Sequence, residues 1–540
     1  MTLKMLIKDM EIKEMTGSAD VDVIGVAYDS RKVKRGDIFI AVKGEKVDGH
    51  SFINDAVKKG AVAVVYEKSE VSRSDPQSET RLYERRPVSG SQKSEVNLAI
   101  SNRQSAISFI HVKDSRNALA YISNNFYGRP SDELAIIGVT GTNGKTTTTY
   151  LLKAILEAWG KEVGLIGTIS YTVKDRHYDA PHTTPEAPEF QAMLSEMLLS
   201  GCSHVVTEVS SHALAQRRVD YTNFDVAVFT NLTRDHLDFH ATMEDYFRAK
   251  ERLFKEILLR EGTSVINYDD VWGRKLIGDI SGKVLTYGIE TGADMAAVNI
   301  KDSLEGLVMD IKFRDRVHGV KSPLIGMHNV YNILSAAGAA VSLNVPWDVI
   351  IDGIRKMSSV KGRFEKVDAG QDFLCIVDYA HTEDALERLI YTARELMKSS
   401  EARSQSPPAT RRGGKSEVRQ QRIITVFGCG GNRDKGKRPI MGKIATSLSD
   451  YVVITSDNPR DEDPVEIIKE IEAGASRRNY VIEPDRREAI RKAVKLAEAG
   501  DILLIAGKGH EDYQEIKGVR HKFSDREALE DTIRDRTKNV

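Results

Sequence analysis

Short apolar runs alternate with polar stretches of helical length along most of the chain. From residue 134 onward, runs such as LAIIGV, SHVVTEV and FDVAVF are separated by segments whose apolar residues recur at helical spacing. Such alternation predicts helical crossovers between the strands of a largely parallel sheet. The runs FLCIVDYA, IITVFG, YVVITSD and DILLIAGKG repeat the pattern nearer the C-terminus. The predicted fold class is therefore α/β.

The same pattern divides the chain into three predicted domains. Their predicted bounds are 1–133, 134–358 and 359–540. The second domain is expected to hold a P-loop ATPase-like parallel sheet, and the third is expected to be Rossmann-like. Residues 68–107 and 399–422 are polar, charged and poor in large apolar side chains, so we expect them to be polar surface insertions.

Composition then excludes several classes of protein. Lys plus Arg number 78 and Asp plus Glu number 79, and the resulting net charge of −1 argues against a dedicated nucleic-acid binder. The longest apolar runs are strand-sized, and the N-terminus has no apolar signal-peptide core, so no membrane insertion is expected. Three widely spaced cysteines favour a reducing compartment. We expect a cytoplasmic protein that acts as a monomer.

The strongest chemical motif follows the strand AIIGV and opens a helix. Its residues are Gly141, Thr142, Asn143, Gly144, Lys145 and Thr146. Glycines let the backbone approach a phosphate, the lysine offsets its charge, and the hydroxyl suits Mg²⁺. Val139 stands where the strict P-loop pattern has glycine, so the sequence predicts a variant ATP-binding loop.

Carboxylates and imidazoles follow the next two strands of this region. They are Glu208, His212, Asp235, His236, Asp238 and His240. Because ligands gather at the carboxyl ends of strands in open α/β sheets, these residues are expected to face the phosphate loop. Oxygen donors in such a place favour Mg²⁺.

A second loop, GNRDKGK at residues 431–437, has the same spacing of glycine and lysine. Arg438 stands where a serine or threonine would hold Mg²⁺. The loop therefore predicts an anion-binding site and not a second triphosphate site.

The order of these motifs along the chain carries a resemblance. TGTNGKTTTT, HTTPE, EVSSHAL, FTNLTRDHLDFH, MHNVYN, VDYAHTEDAL, FGCGGNRDKGKRP, SDNPR and AGKGHEDYQ follow one another. The chain resembles the Mur ligase family, in particular the branch that attaches the third peptide residue of peptidoglycan. The likeness runs from about Tyr28 to Phe523, apart from the two insertions. It implies domains for a UDP-linked substrate, for ATP and for an amino acid.

The resemblance also implies an ATP site and a metal site. The implied ATP-binding residues are Gly141, Thr142, Asn143, Gly144, Lys145, Thr146, Thr147, Asn329, Arg363 and Asp378. The implied catalytic residues are Lys145, Glu208, His236 and Lys250. The implied Mg²⁺ ligands are Thr146, Glu208, His236 and a carbamylated Lys250. A free ammonium cannot bind a cation, whereas the carbamate formed by CO₂ addition is an anion and can.

Two further sets of residues are implied for the other substrates. For the UDP-linked substrate they are Tyr28, Ser30, Glu45, Lys46, Val47, His182, Thr183, Thr184, Ser210, Gln216 and Arg218. His182 stands where some relatives carry asparagine. For meso-diaminopimelate they are Arg433, Asp457, Asn458, Pro459, Arg460, Gly507 and Glu511. Arg460 is expected to be buried and to pair with the second carboxylate of that amino acid.

The implied reaction is ATP-dependent ligation through an acyl phosphate. Meso-diaminopimelate would be joined to UDP-N-acetylmuramoyl-L-alanyl-D-glutamate with Mg²⁺ as cofactor. The same reaction with L-lysine is one alternative, and a non-catalytic ATP-binding regulatory protein is another. Glu208, His236 and Lys250 together argue against the regulatory protein. No GxGxxG opens either Rossmann-like region, which disfavours a dinucleotide oxidoreductase.

Overall fold

The computed structural model describes residues 1–44, 47–67, 107–290, 292–357, 359–404 and 420–538 of the chain. Helices and largely parallel sheets alternate through these residues, which confirms the predicted α/β class. Of the expected insertion at 68–107, all but residue 107 lies outside the described residues.

The first sheet has the strand order β1-β5-β4-β3-β2. Its strands are β1 (Glu14–Thr16), β2 (Gly25–Ala27), β3 (Asp37–Ile40), β4 (Ala63–Glu67) and β5 (Ser108–Val112). Around it lie α1 (Leu3–Leu6), α2 (Ile53–Lys58) and α3 (Ser115–Phe126), with 3₁₀ turns at Gly49–Phe52 and Pro130–Asp132. Only β1 runs antiparallel to its neighbour among these strands. β3, β4 and β5 are mostly apolar and almost entirely buried, as is typical of parallel strands with both faces covered.

The central sheet has the order β16-β15-β14-β13-β12-β11-β6-β10-β7-β8-β9. Its first strands are β6 (Ala135–Thr140), β7 (Val163–Ile166), β8 (Tyr171–Val173), β9 (Arg176–Tyr178), β10 (His204–Glu208) and β11 (Phe224–Phe229). The others are β12 (Leu258–Asn267), β13 (Lys283–Gly288), β14 (Met295–Ser303), β15 (Gly306–Phe313) and β16 (Arg316–Ser322). β6 lies between β10 and β11 and is parallel to both.

Helices cover both faces of the central sheet. They are α4 (Lys145–Ala158), α5 (Ala187–Leu199), α6 (Ser211–Ala215), α7 (Met243–Arg252), α8 (Val271–Asp279), α9 (Met327–Ser342) and α10 (Trp347–Lys356), with a π-helical turn at Leu253–Ile257. Leu151 of α4, Ile333 of α9 and Ile350 of α10 belong to one buried core. Phe190 of α5 and Phe247 of α7 belong to the core on the other face.

The third sheet has the order β17-β18-β22-β19-β20-β21. Its strands are β17 (Glu365–Val367), β18 (Leu374–Asp378), β19 (Ile423–Phe427), β20 (Tyr451–Ile454), β21 (Tyr480–Ile482) and β22 (Ile502–Ala506), followed by a hairpin of β23 (Tyr513–Ile516) and β24 (Val519–Lys522). Its helices are α11 (Glu383–Ser404), α12 (Lys437–Leu448), α13 (Pro464–Glu472), α14 (Arg486–Leu496) and α15 (Asp525–Lys538). From β18 to β21 all the pairings are parallel.

The predicted insertion at 399–422 is too long at both ends. Helix α11 continues through Ser404, so residues 399–404 at the start of the predicted insertion are helical. At the other end Arg422 leads into β19 and binds the buried Asp501 carboxylate with its N–H at 2.9 Å and its guanidinium at 2.8 Å. Between these ends, residues 405–419 lie outside the described residues.

Two further observations concern the described residues as a whole. None of their helices combines the length and the apolar character needed to cross a bilayer. The three cysteines, Cys202, Cys375 and Cys429, are buried and free.

Candidate active site

Three neighbouring strands bring the predicted phosphate and metal residues to one edge of the central sheet. The phosphate loop follows β6, Glu208 is the last residue of β10, and the loop that contains His236 follows β11. Because these strands are adjacent and parallel, their carboxyl ends meet. The topology thus places the three motifs side by side, as expected for a ligand site in an open α/β sheet.

The phosphate loop requires glycine at two positions. Gly141 has φ +144° and Gly144 has φ +87°, both in the region that favours glycine. A Cβ at Gly141 would lie 1.9 Å from Thr230 Oγ1, and one at Gly144 would lie 2.4 Å from Asn332 Oδ1. The loop is further fixed because the Asn143 N–H donates to the side-chain oxygen of Asn231 at 3.0 Å.

Lys145 begins helix α4 and folds back over this loop. Its ammonium donates to the carbonyls of Gly141 at 3.0 Å and Thr142 at 2.8 Å. Burial lowers the pKa of Lys145, and the negative charge of Glu208 partly opposes that shift. The positive group therefore lies at the helix N-terminus, where a phosphate would be bound.

Lys250, on helix α7, is the most enclosed cation of this region. Its side chain is 1% exposed, and its Nζ donates to the Gly141 carbonyl at 2.8 Å and lies 4.6 Å from the centre of the Tyr246 ring. Burial lowers its pKa well below the usual range, and the nearby positive charge of Lys145 lowers it further. These surroundings therefore favour the neutral amine of Lys250 over the ammonium.

Glu208 and His236 face the loop from the two flanking strands. The fully buried Glu208 carboxylate accepts hydrogen bonds from the Thr168 N–H at 2.9 Å and the Thr168 hydroxyl at 3.0 Å. His236 has φ +55°, which turns the chain sharply after β11. Burial lowers the pKa of His236 to about 4, against the opposing charge of Asp235. The imidazole is therefore neutral, as a metal ligand must be.

A cavity of about 540 Å³ joins these groups to the C-terminal sheet. Predicted residues that line it are Thr142, Asn143, Gly144, Lys145, Thr146, Thr147, Thr183, Glu208, Ser210, His236, Lys250, Asn329, Arg363 and Asp378. Arg363 reaches across from the C-terminal part, because its guanidinium donates to Thr146 Oγ1 at 3.2 Å and lies 4.6 Å from the centre of the Tyr379 ring. The cavity is large enough for a nucleotide-sized ligand.

Asp378 and Asn329 are fixed by local hydrogen bonds. The Asp378 carboxylate accepts from the backbone N–H groups of Phe364 at 2.6 Å and Ala380 at 2.8 Å, and burial raises its pKa. Asn329 lies in the first turn of α9, where its amide donates to the Ile325 carbonyl at 2.7 Å. Both side chains are therefore held in place at the wall of the cavity.

The donor set of the cavity fits a divalent cation. Thr146 offers a hydroxyl, Glu208 a carboxylate and His236 a neutral imidazole, and a carbamate on Lys250 would add a second anionic oxygen ligand. The described residues contain no group of three or more His, Cys, Asp or Glu side chains arranged to hold a metal. Any metal at this cavity would thus depend on the hydroxyl and on the modified lysine.

Contacts between the first and central domains bring the predicted UDP-substrate residues together. The Tyr28 hydroxyl donates to the Glu189 carboxylate of α5 at 3.1 Å. Glu186 lies 3.7 Å from the guanidinium of Arg116 in α3 and 2.9 Å from that of Arg218. Glu186 therefore joins an arginine of each domain.

The other predicted residues of this substrate differ in their surroundings. Thr184 donates to the Glu208 carbonyl at 2.8 Å and accepts from the Ser210 N–H at 3.1 Å, which ties the HTTPE loop to the end of β10. Arg218 donates to the Gln216 side chain at 2.7 Å. Ser30, Val47 and His182 are partly or fully exposed, and Glu45 and Lys46 lie outside the described residues.

The predicted amino-acid residues gather at the carboxyl edge of the third sheet. The Asp457-Asn458-Pro459-Arg460 motif follows β20, and Gly507 follows β22. Asn458 donates to the Glu511 carboxylate at 2.8 Å. Arg433 is exposed in the neighbouring loop.

Arg460 differs from its prediction in burial and in pairing. Its side chain is 24% exposed and lies 3.6 Å from the Glu515 carboxylate, and its guanidinium donates to the Gly431 carbonyl at 2.7 Å. Its φ is +52°, and its backbone binds the β23–β24 hairpin: its N–H donates to the Glu515 carbonyl at 3.0 Å and its carbonyl accepts from the Lys517 N–H at 2.7 Å. The prediction of a buried Arg460 was wrong, although the side chain still lies beside the amino-acid motif.

Comparison with known proteins decides the family. Models of the Mur ligase family catalytic domain, the Mur ligase middle domain and the Mur ligase glutamate ligase domain match residues 22–127, 139–340 and 410–509. The chain is 40% identical over 535 residues to the UDP-N-acetylmuramoyl-L-alanyl-D-glutamate--2,6-diaminopimelate ligase of Clostridium tetani, and the alignment covers 99% of each chain. The chain belongs to the Mur ligase family.

Solved structures agree with this assignment. This Mur ligase is similar to a structure of a UDP-N-acetylmuramoyl-L-alanyl-D-glutamate--2,6-diaminopimelate ligase, with a TM-score of 0.65, 30% identity and 99% of both chains covered. It shares its fold with the MurF ligase of Thermotoga maritima in complex with ADP, with a TM-score of 0.59, 20% identity and coverage of 95% and 98%. The predicted family and the three-domain α/β architecture are confirmed.

Sequence reasoning missed several residues that shape the site of this Mur ligase. Asp384 of α11 accepts from the Asn143 amide of the phosphate loop at 2.9 Å and so joins the third domain to the central one. Lys508 is fully buried beneath the amino-acid motif. Glu186, described above, joins the first domain to the central one. All three stand inside motifs that the sequence offered, but nothing in the spacing of those motifs revealed their partners.

The second glycine–lysine loop is tied to its own domain. Lys437 donates to the His381 carbonyl at 2.8 Å, and the buried Arg438 lies 3.0 Å from Glu462 and 2.8 Å from Glu470. Arg438 stands at the position where a P-loop has its metal-binding hydroxyl. Its guanidinium pairs with two carboxylates of its own domain. That the loop binds an anion stays a prediction.

Proposed function

We propose that this Mur ligase joins meso-diaminopimelate to UDP-N-acetylmuramoyl-L-alanyl-D-glutamate and converts ATP to ADP and phosphate. One observation carries the proposal: the phosphate loop, Glu208, His236 and Lys250 line one cavity, and Arg363 reaches into it from the domain that holds the amino-acid motif. The names of the full-length relatives point to the same substrates.

In the first step, a carboxylate oxygen of the substrate attacks the γ-phosphorus of ATP, and the bond from that phosphorus to the ADP oxygen breaks. The products are an acyl phosphate and ADP. Two anions must approach each other, so positive charge is needed at the point of attack. Lys145, which donates to the Gly141 carbonyl, and Arg363, which donates to the Thr146 hydroxyl, are suited to neutralise the phosphates.

Thr146, Glu208, His236 and a carbamylated Lys250 are the residues that would hold Mg²⁺. When bound, the ion would neutralise charge on the phosphoryl oxygens. The lowered pKa of Lys250 supports carbamate formation, because only an unprotonated amine adds CO₂. Its burial in the wall of the cavity would shield the carbamate from water.

In the second step, the amine of the amino acid attacks the carbonyl carbon of the acyl phosphate. A carbon–nitrogen bond forms, the carbon–oxygen bond to phosphate breaks, and the amine loses a proton. The Glu511 carboxylate, held by Asn458, can accept from an ammonium, whereas the guanidinium of Arg460 can bind a distal carboxylate. Lysine has no carboxylate there, so the motif favours meso-diaminopimelate.

An amino-acid panel tests this proposal. The purified protein is supplied with ATP, Mg²⁺ and UDP-N-acetylmuramoyl-L-alanyl-D-glutamate, and ADP release and product mass are followed for each amino acid. We expect turnover with meso-diaminopimelate and much weaker turnover with L-lysine. Equal use of both would contradict the specificity but not the ligase activity. ADP release without any ligated product would contradict the ligase activity itself.

We further propose that the enzyme acts in the cytoplasm as a monomer, without a nucleic-acid partner. The near-zero net charge and the three free, buried cysteines support this setting. Light scattering at working concentration should give the mass of a single chain. A dimer mass would contradict the monomer.

A further inference from the structure

Lys508 is a fully buried lysine in the loop that follows β22. Its side chain is 0% exposed, and Gly507 and Gly509 flank it with φ of +118° and +52°. A Cβ at Gly509 would lie 2.7 Å from both the Gly362 carbonyl and the Tyr379 Cβ, so the loop is packed tightly against the start of the third domain. This close approach directs the lysine stem into the protein interior.

All the side-chain acceptors of the Lys508 ammonium belong to the predicted amino-acid site. Its Nζ donates to Asn458 Oδ1 at 3.0 Å, to Glu511 Oε2 at 3.1 Å and to Asp457 Oδ1 at 3.5 Å. Glu511 Oε2 also accepts from the Asn458 amide at 2.8 Å. One ammonium therefore fixes the orientation of three side chains that stand on two different loops.

The loop that holds Asp457 and Asn458 is also anchored by strand β23. Asn458 Oδ1 also accepts from the Glu515 N–H at 2.9 Å, and the Gln514 amide donates to the Asp457 carbonyl at 2.6 Å. Because Lys508 is fully covered, it cannot contact an amino acid in the site. Whatever it contributes must pass through Asn458, Asp457 and Glu511.

The pKa values of the two carboxyls in this cluster are shifted in opposite directions. Burial by itself raises the pKa of the Asp457 carboxyl, but the charges of Lys508 and Arg486 outweigh burial and hold that pKa below its usual range. Burial and the repulsion of Asp457 raise the pKa of Glu511, against the opposing charge of Lys508. Lys508 thus favours the ionised form of both carboxyls.

We propose that Lys508 is a positioning residue of the amino-acid site: it holds Asn458, Asp457 and Glu511 in the geometry and with the negative charge that bind the ammonium group of the incoming amino acid. This inference rests on the proposed ligase function and adds to it the residue that organises the acceptor side of that site. A purely structural role would affect the binding of all three substrates, whereas this positioning role affects the binding of the amino acid alone.

The test compares Lys508→Met, which removes the charge at similar volume, with Lys508→Arg and with the exposed-lysine control Lys522→Ala. KM is measured separately for meso-diaminopimelate, ATP and the UDP-linked substrate. For Lys508→Met we expect the KM of meso-diaminopimelate to rise about 10–100-fold. The other two KM values should stay within about twofold, and Lys508→Arg should restore part of the loss.

The pH profile gives a second readout of Lys508→Met. Without the ammonium, Glu511 would ionise only at higher pH, so the acidic limb of kcat/KM for meso-diaminopimelate should move upward. A folded Lys508→Met enzyme with an unchanged KM for meso-diaminopimelate and an unchanged limb would overturn the proposal. So would an equal rise in all three KM values, which is what a general loss of structure would give.

A charge-balanced variant covers the case in which Lys508→Met does not fold. Lys508→Met combined with Glu511→Gln removes one positive and one negative charge, so the net charge of the cluster is kept. Its KM for meso-diaminopimelate should exceed that of Glu511→Gln alone by about fivefold or more. Equal KM values in these two variants would overturn the proposal. If the unmutated protein fails to use meso-diaminopimelate, the proposed function fails instead, and the same comparison is made with the amino acid that the panel identifies.

Discussion

Two buried lysines on opposite sides of the site have different surroundings. Lys250 in the central domain meets a backbone carbonyl and an aromatic ring, and the positive charge of Lys145 affects its pKa more than the negative charge of Asp235 does. Lys508 in the third domain meets an amide oxygen and two carboxylates. Both side chains are almost completely enclosed.

The contrast shows that partners, and not burial alone, set what a buried lysine can do. A buried lysine without a hydrogen-bonded carboxylate has a lowered pKa, which favours the neutral amine that can react with CO₂ and become an anion. A lysine among carboxylates balances their charge and fixes their positions. Lys250 is suited to chemistry beside the phosphate loop, and Lys508 is suited to positioning the residues of the predicted amino-acid site.

The largest expected effect is that of Lys250→Ala. The fold should survive, but ligation should fall by roughly a thousandfold, because the variant lacks the anionic ligand that the carbamate supplies. Added bicarbonate should not restore activity, whereas a short carboxylate such as acetate should restore part of it. Lys250→Arg is the matched control, since it keeps a positive charge but cannot form the carbamate, and it should be equally inactive. Wild-type activity in Lys250→Ala would show that Lys250 has no catalytic role and would contradict the contrast drawn with Lys508.

Arg460→Ala tests the amino-acid side with a smaller expected effect. Arg460 is partly exposed and already binds the Gly431 carbonyl, so the lost interaction is that of one charge-assisted hydrogen-bond donor. KM for meso-diaminopimelate should rise about 10–100-fold, with little change in kcat. The preference over lysine should narrow by a similar factor. An unchanged preference would remove Arg460 from the specificity argument.

The buried Arg438 extends the comparison to a cation that is always charged. Its guanidinium holds the pKa of Glu462 at about 2, below the usual 4.5. Because the folded-state pKa is depressed, the stabilisation is present above about pH 4.5 and is lost as the pH falls towards about 2. Glu462→Gln should therefore cost about 1–2 kcal/mol at neutral pH, after allowance for solvent screening. Thermal denaturation across this range should show the gap between wild type and variant closing in acid; a constant gap would contradict the pairing.

The smallest effect is expected from residues 405–419. A Gly/Ser segment of the same length in their place should leave turnover within a few-fold, because this polar stretch carries no core-forming pattern. Arg422→Ala is the contrasting variant and should lower the melting temperature, since it breaks the pair with Asp501. A loss of activity beyond a hundredfold in the Gly/Ser variant, about 2.7 kcal/mol, would show that the segment takes part in folding or catalysis.

Alternating apolar runs were sufficient to predict the α/β class, because parallel strands buried on both faces must be apolar throughout. The end of α11 was not predictable in this way. Its last turn is polar, and the pattern there looks the same as that of a surface loop. The run IITVFG predicted β19 from its first residue, but the anchoring of Arg422 before it was missed because its partner Asp501 lies 79 residues away.

The candidate site was predictable where local spacing defines the chemistry. The glycines and Lys145 of the phosphate loop lie within a few residues of one another, and the strand before them fixes their place. Contacts such as that between Asn143 and Asp384 join residues 241 positions apart, and no local pattern encodes them. The partners of Lys508 likewise stand about 50 residues upstream. Such contacts depend on which strand ends become neighbours in the folded sheet.

The most direct test of this account is detection of the carbamate itself. The protein is equilibrated with ¹³C-labelled bicarbonate and Mg²⁺, and the carbamate carbon is observed by NMR in the wild type, in Lys250→Ala and in Lys508→Met. We predict a carbamate signal that disappears in Lys250→Ala and persists in Lys508→Met, because Lys508 donates to carboxylates whereas Lys250 donates to a backbone carbonyl and has a lowered pKa. The account would be contradicted by the absence of any carbamate in the wild type, or by a signal that survives Lys250→Ala.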